Sequence, residues 1–195
     1  ATSGAGDTAG ESTISNTGSF APASARVNGL AAGDWRLATE LGADQIPLVE
    51  RRDGLEVTGG PIANTRVLNY GTRAGGPLAD VRVRRALGMA IDRELIVDQL
   101  FAGRVDVPQG YQWPAYGEMF VADAAAPAYA PEEARRLLKE AGYDGAPIPY
   151  RTQVNYYTGE LQTAQVLVEM WRAVGLTVDL NIVENWNQVF AKPAN

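Results

Sequence analysis

The sequence predicts an α/β fold, and three consecutive segments carry that reading. Ile148 to Asn155 is a β-type run, and Leu176 to Val183 is another. Between them Leu161, Ala164, Val168, Trp171 and Val174 recur on one helical face. A strand, a helix and a strand in so short a span form a βαβ unit, whose crossover is right-handed. Thr158 is read as the cap that starts this helix and Gly175 as the residue that closes it.

The preceding elements are read in chain order. Residues 1–23 are rich in Gly, Ser, Thr and Ala, and only STIS and Phe20 hint at a strand, so this is a weakly specified lead-in. From Ser24, Val27, Leu30 and Ala31 have helical spacing, with Ser24 as the cap and Gly33 as the stop. GADQIPLVERRDG reads as a short broken helix and a turn, and Leu55 to Thr58 and Arg66 to Tyr70 as short β-type runs. In PLADVRVRRALGMAIDRELIVDQLFAGR, Asp80 caps a helix whose stripe is Val83, Leu87, Ala90 and Ile91. Asp92 caps a second helix that carries Ile96 and Leu100 and is ended by Gly103. Residues 104–129 are irregular, punctuated by Pro108, Pro114 and Pro127; a loop of this length in a compact domain is usually functional or disordered. Pro131 then opens a helix with Ala134, Leu137, Leu138 and Ala141 as its stripe, ended by Gly142.

Composition narrows the function. The chain of 195 residues has 46% hydrophobic and 21% charged residues, the balance of an ordinary soluble domain. Its net charge of −6 opposes binding to a phosphate backbone. Arg82, Arg84 and Arg85 form a local basic cluster that reads better as the polar side of a helix, pairing with carboxylates or solvated. With no Cys and no His there is no thiolate nucleophile, no imidazole base and no Cys or His metal ligand. The Gly75–Gly76 pair lacks the Lys-Ser/Thr that would complete a phosphate loop. No apolar run approaches a membrane span, and no basic start followed by an apolar stretch marks a signal peptide.

Four segments in order resemble the family 5 extracellular solute-binding proteins of ABC importers. PLADVRVRRALGMAIDRELIVDQLFAGR is similar to the family's Asp-x-Arg-Val-Arg-x-Ala-Leu helix, Ala-Ile-Asp-Arg turn and Gly-terminated helix. SARVNGLAAGDWRLATEL resembles its Leu-x-x-Gly-Asp-x-Asp segment, with Arg36 where an acidic residue is common. YAPEEARRLLKEAGYDG and ELQTAQVLVEMWRAVGLTVDLNIVENW supply the other two, with Ala130 in place of the usual capping Asp. The resemblance implies a periplasmic-binding-protein-like lobe of the class II type, a mixed sheet flanked by helices. It implies residues 24–195 as one α/β lobe of a two-lobe binding protein, truncated relative to the family. The implied partners are a small or peptide-like solute and an ABC permease in the membrane, with no cofactor, no metal and no nucleic acid. The implied location is periplasmic or extracellular, in association with the membrane.

Two-lobe capture encloses a solute between strand ends and loops, so the candidate ligand-binding residues are sought there. Asn69 and Tyr70 close a β-type run before the signature helix; alternatively, Asn69 serves its own turn. Tyr111 and Trp113 lie in the Pro-flanked loop and either stack on a solute or pack that loop. Asn155, Tyr156 and Tyr157 follow a strand and precede a helix N-terminus, which suits an anion unless it is simply a capped turn. Trp186 is balanced between cleft and core, and Trp171 belongs to the core. Two other classes compete: a sensor or interaction domain of the same fold, and an enzyme dependent on carboxylates, for which no spacing points to a reactive pair.

Overall fold

The structure, a computed structural model, describes residues 22–60, 62–73, 75–110, 112–124, 128–154 and 156–189. The lead-in, with STIS and Phe20, lies outside the described residues up to position 21. The chain divides into two units, Ala1–Val57 and Thr58–Asn195.

In the first unit, helix α1 (Ala23–Ala32) carries Val27 inward and helix α2 (Ile46–Glu50) carries Val49 inward. Ser24 is not the cap. Extended Pro22 takes that position, and its carbonyl accepts the N–H groups of Ala25 and Arg26. Proline presets the dihedral that launches a helix, so no side-chain cap is needed. Gly33 closes α1 in the left-handed conformation, φ 78°, as its position in the sequence predicts. Arg26 is buried, and its Nη2 donates to the carbonyl of Glu40 at 2.7 Å.

The ring of Trp35 lies against Gly29. A Cβ built on Gly29 would fall 2.8 Å from Trp35 ring carbons. A helical Gly→Ala change ordinarily stabilises by about 0.5–1 kcal/mol. Here overpacking, at about 1–3 kcal/mol, outweighs that gain. Gly29→Ala is therefore expected to destabilise this unit, measured as faster hydrogen exchange across α1.

The second unit holds the βαβ core. Strands β1 (Ile148–Gln153) and β2 (Val178–Val183) pair in parallel, in register from Ile148↔Val178 to Gln153↔Val183. Helix α6 (Glu160–Ala173) makes the crossover between them. Helices α3 (Val81–Met89) and α5 (Pro131–Glu140) pack together; Ala86 and Ala134, both at 0% exposure, permit their close approach. Helix α4 (Arg93–Phe101) lies between α3 and α5 in the chain, and α7 (Trp186–Val189) follows β2.

The core joins Val83 and Leu87 of α3, Leu137 and Leu138 of α5, Val168 and Trp171 of α6, and Ile148 and Val178 of the strands. Trp171 donates its indole N–H to the carbonyl of Leu87 at 3.0 Å and meets Tyr150 edge-on, centroids 5.2 Å apart. The helical stripes of α3, α5 and α6 thus face the core as the sequence predicts. No residue of α4 is buried, and Ile96 packs partly against the core. Gly103 is not the first residue past α4. Ala102 takes the left-handed C-cap, φ 52°, ahead of it.

Tyr143 lies between α5 and β1, and its hydroxyl donates to Ala146 O at 2.7 Å and accepts from Thr177 N at 3.0 Å. One phenol thereby ties the approach to β1 to the approach to β2. Several arginines serve helix ends: Arg82 Nη1 donates to Glu140 O at 2.7 Å, and Arg93 Nη1 to Gly88 O at 3.2 Å. Arg84 Nη1 donates to Leu78 O at 2.7 Å. The basic cluster of α3 is in this way partly absorbed by backbone carbonyls.

Asp80 caps α3 by accepting the Arg82 N–H at 2.7 Å, and Asp92 caps α4 by accepting the Leu95 N–H at 2.9 Å. The Arg82 guanidinium also bonds the Asp80 carboxylate, and together these bonds hold its pKa down at about 2, from an ordinary 3.8. A depressed carboxylate contributes stability above its unfolded value and loses it as pH falls through its folded value. Asp80→Asn is expected to flatten the fall of Tm between pH 3.8 and pH 2, read by thermal unfolding across that range.

Two of the β-type runs form no ladder among the described residues. Leu55 to Thr58 and Arg66 to Tyr70 lie outside both strands of the sheet. In the latter, Leu68 and Tyr70 pack against the core, so side chains hold the segment where the sequence alone suggests backbone pairing.

Candidate functional site

The extended segment around residues 63–70 organises the candidate site. Period-two alternation places Arg66, Leu68 and Tyr70 on one parity. Leu68 and Tyr70 use it to reach the core, while Arg66, beyond the apolar edge, turns to the start of α6. Its Nη1 donates to Thr163 Oγ1 at 2.6 Å and to Gly159 O at 3.4 Å, and its Nη2 donates to Thr158 O. The guanidinium lies 5.4 Å from the centroid of Phe101 and 5.9 Å from that of Tyr157, within cation–π range of both.

On the other side, the same segment holds the Pro-flanked loop. Trp113 is half-buried and donates its indole N–H to Thr65 Oγ1 at 2.8 Å, and Tyr116 OH meets Ala63 O at 3.4 Å. Val121 N and Gln112 Oε1 close the loop on itself at 2.7 Å. Hydrogen bonds therefore run from Trp113 through residues 65–66 to the turn before α6.

That turn carries Tyr156 and Tyr157, both exposed, in an edge-to-face pair with centroids 4.6 Å apart. Thr158 does not cap α6. Gly159 takes the cap position at φ 71°, without a side-chain hydrogen bond, and Thr158 contributes its carbonyl to Arg66. The N–H groups of Tyr156 and Tyr157 both meet Glu160 Oε2 at 3.3 Å. A carboxylate of the chain already lies at the positive end of α6, where it complements the helix dipole.

Of the other candidates, Asn69 is exposed and Tyr70 is half-buried against the core. Burial raises the Tyr70 phenol above its ordinary value, against the opposing pull of Arg93 and Arg84. Tyr111 and Asn155 lie outside the described residues, as does the side chain of Trp186, which opens α7. A separate depression of about 300 Å³ near Gly76, Asp80, Val83 and Tyr143 shares no residue with this patch. Arg66 and Phe101 are the members that sequence reasoning missed. The available signal was an arginine on the apolar parity of a β-type run.

Residues 18–195 match the family model described as "Bacterial extracellular solute-binding proteins, family 5 Middle". The chain belongs to this family. Among curated proteins, the probable deoxycholate-binding periplasmic protein YgiS of Escherichia coli is 32% identical over 155 residues. That alignment covers 75% of this chain and 28% of YgiS. The glutathione-binding protein GsiB of Salmonella typhimurium is 31% identical over 137 residues, 67% of this chain and 25% of GsiB. Among solved structures, the ABC transporter-associated periplasmic binding protein DppA of Helicobacter pylori in complex with peptide STSA superposes with TM-score 0.71 at 19% identity, covering 83% of this chain and 31% of that one. MoaA of A. tumefaciens R10 with mannopinic acid gives TM-score 0.71 at 23% identity, covering 86% and 34%. The α/β lobe is thus that of the periplasmic binding proteins, and the chain spans about a quarter to a third of the length of these relatives. These relatives are named as binding proteins, not as enzymes.

Proposed function

We propose that this protein is the substrate-binding component of an ABC import system. It captures a small, peptide-like solute non-covalently and delivers it to a membrane permease, acting in the periplasm or outside the cell in association with the membrane. The family 5 match over residues 18–195 carries this reading. The patch supports it: exposed Tyr156 and Tyr157 and half-buried Trp113, held by Thr65 of the extended segment, suit enclosure of an organic solute. A chain without Cys or His is also well matched to capture without bond breaking. No helix among the described residues is long and apolar enough to cross a membrane.

Asn69, Tyr70, Tyr111, Trp113, Asn155, Tyr156, Tyr157 and Trp186 are the proposed ligand-binding residues. Thermal unfolding with Met-Leu, glutathione or deoxycholate tests the proposal. A ligand that binds only the native state at 100 times its Kd stabilises by about 2.7 kcal/mol. A saturable rise in Tm with any of the three, the solute being recovered unchanged, is the expected result. Turnover of a bound compound, or no rise with any of them, would remove the proposal.

A further inference from the structure

Asparagine or aspartate precedes glycine at three places in the chain: Asn28–Gly29, Asp53–Gly54 and Asp144–Gly145. Glycine has no side chain to screen its backbone nitrogen, so that nitrogen can reach the carboxyl or amide carbon of the residue before it. The fold treats the three steps differently. Gly29 lies inside α1, where the helical ladder engages its N–H, and the ring of Trp35 lies against it. Asp144 is held within its own loop. Its Oδ1 accepts the Ala146 N–H at 3.0 Å, and the Tyr143 hydroxyl holds the Ala146 carbonyl. A Cβ built on Gly145 would lie 3.9 Å from Thr177 Oγ1, so a neighbouring segment stands beside that amide.

Asp53 has none of these restraints. Asp53 and Gly54 are both exposed, in the turn that follows α2. The Leu55 N–H closes this turn by donating to the Arg52 carbonyl at 3.3 Å, and Gly54 stands at φ 78°. That bond joins the two ends of the turn and leaves its central amide, Asp53–Gly54, out of the pairing. Among the described residues the Gly54 N–H has no acceptor, and the Asp53 carboxylate has no hydrogen bond or ion pair. A Cβ built on Gly54 would meet nothing within 4 Å, so no other segment screens this amide.

We propose that Asp53 is a site of spontaneous covalent modification, isomerising to isoaspartate through a cyclic imide formed with Gly54. The Gly54 nitrogen attacks Cγ of the protonated Asp53 carboxyl group. The N–Cγ bond forms, the bond from Cγ to the hydroxyl oxygen breaks, and water leaves with the amide proton. Water then reopens the ring at either carbonyl. Breaking the new N–Cγ bond restores aspartate; breaking the original peptide bond leaves the chain running through the side-chain carbon as isoaspartate. The water lost is regained, so the change is an isomerisation that needs no oxidant, reductant or enzyme. It adds one carbon to the backbone of the turn after α2.

The test is prolonged warm incubation of the 195-residue chain at neutral pH in heavy-oxygen water, folded and in guanidinium chloride, followed by trypsin. Cleavage after arginine and lysine places Asp53 in the peptide 53–66 and Asp144 in the peptide 140–151. Electron-transfer fragmentation distinguishes isoaspartate from aspartate in each, and every ring opening adds one heavy oxygen. In the folded chain Asp53 is expected to isomerise about tenfold faster than Asp144, whose hydrogen bond must first break. In guanidinium chloride that margin is expected to vanish, because both steps are then the same Asp-Gly pair without a fold. Equal rates at the two sites in the folded chain overturn the proposal, as does the absence of isoaspartate at Asp53. A margin that persists unchanged in guanidinium chloride also overturns it, since the fold would not be its source. No variant is needed, so the outcome does not depend on a substituted chain folding.

Discussion

Trp171→Ala is expected to lower the unfolding free energy of the Thr58–Asn195 unit by about 3–5 kcal/mol, the cost of truncating a buried aromatic residue. Trp171 is 3% exposed and links three parts of the core: its own helix, β1 through Tyr150, and α3 through the carbonyl of Leu87. Truncation opens a cavity, removes the edge-to-face contact, and leaves that buried carbonyl without the indole donor. Trp171→Phe separates these effects. It keeps much of the apolar area while losing the indole N–H, so the loss should be about 1–3 kcal/mol, the cost of a buried unsatisfied group. Equilibrium denaturation in urea measures both variants. A Trp171→Ala cost below that of Trp171→Phe would show that the indole is not the centre of this core.

Leu87→Ala should be nearly as severe, at about 2–5 kcal/mol. Leu87 is 2% exposed in the middle of α3, at the contact between that helix and the rest of the core. Leu100→Ala, also from leucine and only 13 positions further along, should cost less than about 1 kcal/mol. The difference arises because α4 buries none of its residues. The paired measurement, urea denaturation of both variants under one condition, would contradict the structure if the two costs were equal.

That pair also marks where sequence reading succeeds and where it stops. Val83, Leu87, Ala134, Leu138, Val168 and Trp171 follow helical periodicity with buried neighbours on both sides, so their inward direction is legible locally. Ile96 and Leu100 show the same spacing. Whether a stripe is covered, however, depends on which element arrives opposite it, and spacing within one helix cannot encode that. Caps divide in the same way. Asp80 and Asp92 act as expected because a carboxylate there has a clear backbone partner. Ser24 and Thr158 yield to Pro22 and Gly159, whose backbone dihedrals set the helix starts without help from a side chain.

The candidate site was legible in its aromatic residues more than in its charge. Tyr156, Tyr157 and Trp113 stand out beside prolines and strand ends, and the structure connects them through residues 65–66. Arg66 was hidden inside a five-residue β-type run, where it passed for an ordinary polar member of the alternation. Its acceptors lie more than 90 positions away, at Thr158, Gly159 and Thr163. A link over that distance becomes visible only when the crossover brings α6 alongside the extended segment.

The hydroxyl of Tyr143 has a consequence for alignment of the sheet. Because it fastens to Ala146 and Thr177, each just ahead of a strand, it gives β1 and β2 a common origin from which both are counted. Slipping one strand by a single residue would invert which side chains face inward, swapping Val178 for solvent-facing Asp179 opposite Ile148. A lengthened or shortened link between Tyr143 and Ile148 would therefore force a choice between keeping the phenol's two bonds and keeping the apolar face intact. The ring acts as the datum that makes one alignment compatible with both.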